Sequence, residues 1–303
     1  MRLIVALLFA AVFSKCAAQG YSEGVNLSYD FLPLKINATA GTETFTGNNF
    51  KLTDAVPIYI KKDKSQYLVF GLNLESMDFS GSHPDLPVTG FYGISPLLGY
   101  CRQVNQKLAL SAILIPLLNS DLYIVNSSDF HFGGVVRGVY RLKENFAIRV
   151  TLGYRQQFYG TQYIVFLGLD WKIGNRWRAF GDLPNNATLF YSLRPKINAG
   201  VNYLSGGYTS FHLTEQQHYI LYNYANAGLF LEYYLSPTLA VRGTVAYSVL
   251  RNLDLYNMNQ KVTAGVLDYI PLSANPIPLN TEVSNGLAFK LSLSLRFPEL
   301  KNK

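Results

Sequence analysis

The residue types that could do chemistry are few and scattered. Four histidines occur, His83, His131, His212 and His218, and none has a second ligand type at metal-site spacing. They read as surface residues. A serine hydrolase would need a serine within reach of a histidine. His131 has only Phe130, Phe132 and Gly133 beside it, and Ser210 is the serine nearest to His218. The glycine run Gly133-Gly134-Val135-Val136-Arg137-Gly138 lacks the lysine and the following helix of a phosphate-binding loop. The sequence therefore predicts no enzyme, no metal and no cofactor. The one chemically loaded set is ionic. Arg137, Arg141, Arg149, Arg155, Lys172, Arg242, Lys290 and Arg296 share one parity with Asp30, Glu75, Asp170 and Glu232 in segments of alternating polarity. Gathered on one face, they would either hold a salt-bridged interior together or concentrate anions in a narrow passage.

The elements that position these charges are strands. Val25, Leu27, Tyr29 and Phe31 alternate with Asn26, Ser28 and Asp30. Phe146 to Tyr154, Tyr163 to Trp171 and Ala227 to Leu235 repeat the pattern, and no helical period competes with it. The last segment is the clearest. Leu287, Phe289, Leu291, Leu293, Leu295 and Phe297 alternate with Ala288, Lys290, Ser292, Ser294 and Arg296. Successive side chains on a strand point to opposite faces, so this strand has one apolar face and one small or charged face. It is about as long as the roughly 9–11 residues that a tilted transmembrane strand needs. Short polar connections, such as Lys143-Glu144-Asn145 and Gly174-Asn175-Arg176, alternate with longer ones at 33–49, 80–89, 118–129, 214–217 and 252–285.

Composition agrees. Of 303 residues, 49% are hydrophobic and 15% charged, yet mean hydropathy is only +0.10. Average soluble domains carry roughly 25% charge, so the outer faces of a soluble sheet would go uncovered here. Apolar residues dispersed at every second position fit a membrane barrel instead. Residues 1–18 read as an export signal, with Arg2, an apolar core from Leu3 to Phe13 and a small-residue cleavage site at Cys16-Ala17-Ala18. Its removal leaves Cys101 alone, without a disulfide partner. The formal charge of +7 is spread along the strands, with no concentrated basic stripe for nucleic acid. Tyr100, Tyr140, Trp171, Tyr233 and Phe297 fall near strand ends, as an interfacial aromatic girdle requires.

Taken together, the chain resembles the exported outer-membrane β-barrels of Gram-negative bacteria, among them families of unknown function. The expectation is a closed antiparallel transmembrane β-barrel spanning residues 19–303, with short periplasmic turns and long outer loops. It has about 12 strands, with Trp177 to Leu193 forming an irregular lip because each half is too short to cross alone. Counting those halves as strands gives 14. The resemblance implies an outer-membrane location, outer-membrane lipid as surroundings and the barrel-assembly machinery as a partner. The predicted function is a passive or gated channel for small solutes with a mild anion preference. The alternative is a plugged structural or surface-interaction barrel whose outer loops are functional. The longest loop carries Tyr269, Ile270, Leu272, Ile277 and Leu279 with little charge, which predicts a lid over the barrel mouth.

Overall fold

A computed structural model describes residues 21–38, 41–61, 63, 65–80, 86, 88–214, 217–262 and 276–298. The predicted export signal, and Tyr269, Ile270 and Leu272 of the predicted lid, lie outside them. The chain runs through β1 (Tyr21–Ala38), β2 (Gly41–Tyr59), β3 (Gln66–Ser80), β4 (Gly90–Gln103) and β5 (Leu108–Ser120). After a short 3₁₀ turn (Ser127–Asp129) come β6 (Phe130–Lys143), β7 (Phe146–Gln157) and β8 (Gly160–Ile173). The second half holds β9 (Trp177–Leu183), β10 (Asn186–Arg194), β11 (Ile197–Ser205), β12 (Thr209–Leu213), β13 (His218–Tyr234), β14 (Leu239–Asn257) and β15 (Leu287–Pro298).

Consecutive strands other than β11 and β12 pair antiparallel, and β15 returns to β1 in a register from Tyr21 opposite Pro298 to Phe31 opposite Phe289. Fourteen of the strands close the barrel, because β11 pairs directly with β13 along residues 197–205. Fourteen is thus the correct count and twelve is not: the segment expected to be a lip is β9 and β10, paired in order with β8 and β11. The remaining strand, β12, continues along the same edge of β13 above β11, where Thr209 to Leu213 pair with His218 to Tyr222. Its other edge meets β5, His212 lying opposite Ser120.

Between two aromatic levels the outer wall is apolar except at Asp54, which faces outward beside Val25 and Leu72 and accepts from the Leu72 N–H. Near the short turns stand Tyr100, Tyr140, Trp171, Trp177 and Tyr233, all exposed. Eight residues further along the strands of Tyr140 and Trp171 stand Phe132 and Tyr163, facing outward from β6 and β8. Eight residues span about 27 Å of strand, or about 21 Å of depth once strands tilt as barrels require. The Leu, Val and Ile side chains between these levels, such as Leu167 and Leu229 at 64% and 68% exposure, face outward. Water would make that band unfavourable; hydrocarbon makes it the matching solvent.

Above the upper level the pattern inverts. On β1 the outward residues change from Tyr29 and Phe31 to Pro33 and Lys35, while the inward ones change from Ser28 and Asp30 to the buried Leu32, Leu34 and Ile36. Parity is continuous; the two solvents have changed places. Leu253 and Leu255 of β14 and Ile220 of β13 are likewise buried at that height. The longer connections expected at 33–49 and 252–285 are therefore in part strand, extending β1, β2 and β14 beyond the membrane.

Candidate functional site

The interior has two storeys. In the lower one the register brings the charged side chains together. Glu232 and Arg242 lie directly opposite on β13 and β14, with Nη2 and Oε2 2.6 Å apart. Arg296 on β15 reaches the same Oε2 at 2.7 Å, and Asn198 on β11 donates to Oε1 at 3.1 Å. Arg242 also lies over the Phe230 ring at 4.2 Å. Lys290 and Asp30 are cross-strand neighbours bonded at 3.1 Å. Arg178 grips Asp170 through two contacts of 2.9 and 2.7 Å. Arg149 binds Asp182 at 2.9 Å, and Arg137 approaches the other oxygen at 3.5 Å. Lys51 stands opposite Glu75 on the neighbouring strand, 2.7 Å away.

The two sides of this storey differ. Arg149, Asp170, Arg178, Glu232 and Arg296 are buried, so strands β7 to β15 carry a packed ionic wall. Toward β2 to β6 the inner face is open: Thr53, opposite Asn26 and Asn73, is exposed, and Lys51, Asn73, Ser111 and Arg137 are half-buried. Arg141, on the same face, is exposed near the short β6–β7 turn, and Lys172 is half-buried beside the β8–β9 turn. An eight-stranded barrel is just filled by its own side chains, whereas sixteen leave an aqueous channel. By that scaling, fourteen strands with one packed wall have room for a vestibule along the other.

The upper storey is packed. Leu34, Ile36, Met77, Phe91, Phe211 and Ile220, together with neighbours, form an apolar core, with the Phe91 and Phe211 rings stacked at 4.2 Å. Phe211 belongs to β12, which is anchored on all sides. Asp121 accepts from the Thr214 backbone and hydroxyl at 2.8 Å, and its own N–H donates to His212 O. His212 Nδ1 lies 2.6 Å from Asp129 Oδ1, both side chains buried. Ser210 donates to Gln157 Oε1 and accepts from Phe158 N–H. Arg155 donates to Gln162 Oε1 at 2.8 Å and to Tyr208 O. Val283 and Val262, at the two ends of the longest loop, are buried, whereas Ile277 and Leu279 of the predicted lid are exposed.

The sequence reading missed Lys51, Arg178, Asp182 and the Asp129–His212 contact. Lys51 and Glu75 share a register position, but Lys51 stood beside a segment read as a loop. Arg178 and Asp182 lay in the supposed lip. His212 and Asp129 are 83 residues apart, and no local pattern announces them. His131 faces inward on β6 with its ring 4.5 Å from Phe158, and Gly133 to Gly138 lie within the same strand.

A family model described as a domain of unknown function, DUF6268, matches residues 30–279. No curated protein matches the sequence. Among solved structures, the COG4313 outer membrane channel from Pseudomonas putida F1 is 8% identical, covering 91% of this chain and 96% of that one, with a TM-score of 0.45. The toluene transporter TbuX of Ralstonia pickettii is 8% identical, over 96% and 93%, with a TM-score of 0.45. OprB of Pseudomonas putida is 9% identical, over 92% and 94%, with a TM-score of 0.42.

Proposed function

The chain belongs to the DUF6268 family, and we propose that it is an outer-membrane channel for small solutes, held closed on its outer side by β12 and the apolar core. The observation that carries this reading is the exposed Thr53 beside half-buried Lys51, Asn73 and Arg137 on the inner face, which we read as the wall of a hydrated vestibule. A barrel serving only as a scaffold gains nothing from keeping Thr53 exposed and the Arg137 side chain 38% exposed on its inner face at membrane depth. The gate is β12, since its contacts to β5, β7 and the 121–129 segment are side-chain and single backbone bonds, without the continuous ladder of the wall. Basic side chains outnumber carboxylates inside: Arg155 is satisfied by an amide and a carbonyl. Fixed positive charge in a low-dielectric passage concentrates anions, which supports a mild anion preference.

A planar-bilayer recording under a salt gradient tests this. Wild type should open rarely, Asp121→Ala should give long openings, and both should reverse toward the anion potential. Arg137→Gln with Arg155→Gln should move that reversal toward zero. Silence from both wild type and Asp121→Ala would favour a second reading, a plugged barrel acting through its outer face, for which the packed upper core is the specific support.

A further inference from the structure

The open side of the inner face is apolar along its middle. Val69, Leu97, Ile113, Ile115 and Val135, on β3 to β6, share the inward parity of Asn73, Ser111 and Arg137, and each is half-buried. They make one surface because glycines on the same face leave room for their neighbours. The place a Cβ would take on Gly71 lies 3.1 Å from Leu97 Cδ1, and that on Gly153 lies 2.8 Å from Val135 Cγ1. The place on Gly99 lies 3.0 Å from Ile113 Cγ1 and 3.5 Å from Val69 Cβ. An aliphatic stripe is ordinary on the lipid side of a barrel, whereas a water-filled interior is polar.

The stripe ends on a cation. Ile115 lies opposite Gly133, and Gly133 lies opposite Arg155 of β7. Arg155 Cβ and Cγ are each 3.5 Å from the place a Cβ would take on Gly133, so its stem continues the apolar surface. Its guanidinium stands beside the start of β12, donating to Gln162 Oε1 at 2.8 Å and to Tyr208 O. Both acceptors are neutral. Arg137 and Arg149, inward on β6 and β7, share the Asp182 carboxylate, but among the described residues no carboxylate is in ion-pair range of Arg155. A guanidinium has five N–H groups, so three of them are left for water or a ligand.

We propose that the stripe and Arg155 together bind a monocarboxylate with an apolar body, its carboxylate on the guanidinium and its hydrocarbon along Ile115, Ile113 and Val135. Arg155 selects the carboxylate, because it has charge and N–H groups to give and no carboxylate of its own; such charge-assisted bonds are about twice as strong as neutral ones. The stripe selects the hydrocarbon, because it gains only from a group that takes its surface out of water. Chloride meets the first requirement and not the second. This names a solute class for the vestibule of the proposed channel, and it rests on that vestibule but not on conduction.

The test uses the full chain in lipid nanodiscs, where the short-turn mouth meets buffer whether or not the lumen conducts. A hexanoate carrying a mid-chain diazirine is photolysed with it, and mass spectrometry maps the adducts. They should concentrate on Leu97, Ile113, Ile115 and Val135. Competition by acetate, butanoate and hexanoate should tighten about two- to fourfold per methylene, the upper figure being full burial and the lower one-sided contact. Hexylammonium should not compete. Arg155→Gln should raise the competing hexanoate concentration about tenfold or more, and Arg155→Lys should keep most of the affinity. Ile113→Thr with Val135→Thr should leave acetate unchanged and flatten the dependence on chain length, folding being read by heat-modifiable migration. Adducts confined to outward residues such as Leu293, or hexylammonium competing as well as hexanoate, would overturn the proposal. So would equal competition by acetate and hexanoate, which would assign the site to small anions in general. Labelling as expected in a chain that stays silent in the bilayer would uphold the site and remove the channel; conductance without such labelling would do the reverse.

Discussion

Glu232 is where the ionic wall is most exposed to a single change. Its carboxylate, 2% exposed, holds Arg242 at 2.6 Å and Arg296 at 2.7 Å, with Arg296 itself 2% exposed. Glu232→Gln keeps the shape and a carbonyl for Asn198, but leaves two guanidinium groups facing each other with no anion. Removing one partner of a buried pair costs about 3–5 kcal/mol, since the stranded charge stays buried. Arg242 is partly hydrated, with 17% of its side chain exposed, so its share is smaller and the expected loss lies near about 3 kcal/mol. Asp30→Asn is the internal control: its partner Lys290 is 23% exposed, and about 1 kcal/mol or less should be lost. Reversible urea unfolding in lipid vesicles, followed by tryptophan emission, measures both. Further substitution of Arg296→Met in the Glu232→Gln chain should restore part of the stability, because it removes one stranded charge. Equal effects of Glu232→Gln and Asp30→Asn, or no recovery in the double variant, would refute the reasoning that burial sets the cost.

Two further outcomes follow from the geometry of the wall. Leu291→Arg places a charge on the outward, 58% exposed side of β15 and should cost about 2–4 kcal/mol, seen as loss of the heat-modifiable folded band; Lys290→Arg, one residue away and facing inward, should assemble normally. Gly200→Ala should lower the urea midpoint by about 1–3 kcal/mol equivalent, because the added Cβ meets the Leu189 carbonyl and crowds Phe230. A midpoint equal to wild type would show that β10 and β11 can separate more than their ladder suggests.

The strand pattern was legible because hydrocarbon enforces it: a face such as Leu287 to Leu293 cannot carry a charge, so parity in the sequence is parity in space. Legibility stopped where that solvent stopped. At Phe31–Leu32 the outward face passes from lipid to water and the inward face from a polar lumen to a packed core, so apolar residues change parity while the strand does not. Read as a break in alternation, that inversion made the upper halves of β1 and β2 look like loop. β9 and β10 were obscured differently. They are short because the wall is low there, and the length criterion for a crossing strand excluded them. The charge set was found wherever its strand was found, as at Glu232 with Arg242, and lost wherever it was not, as at Arg178 and Asp182. The packing of β12 left no local signal, since its contacts join residues some fifty to ninety positions apart.

The central claim, a lumen open to the short-turn side and shut on the other, is tested most directly by sided labelling of Thr53→Cys. The background is Cys101→Ser, which removes the buried native thiol. Thr53 is exposed on the inner face, so a cysteine there reports water in the vestibule. In vesicles with the outer loops facing out, a sulfonated, membrane-impermeant maleimide should react only after the vesicles are lysed. In the Asp121→Ala chain it should react from outside as well. Rapid reaction from outside without that substitution would mean that β12 closes nothing, and no reaction from either side would mean that there is no vestibule.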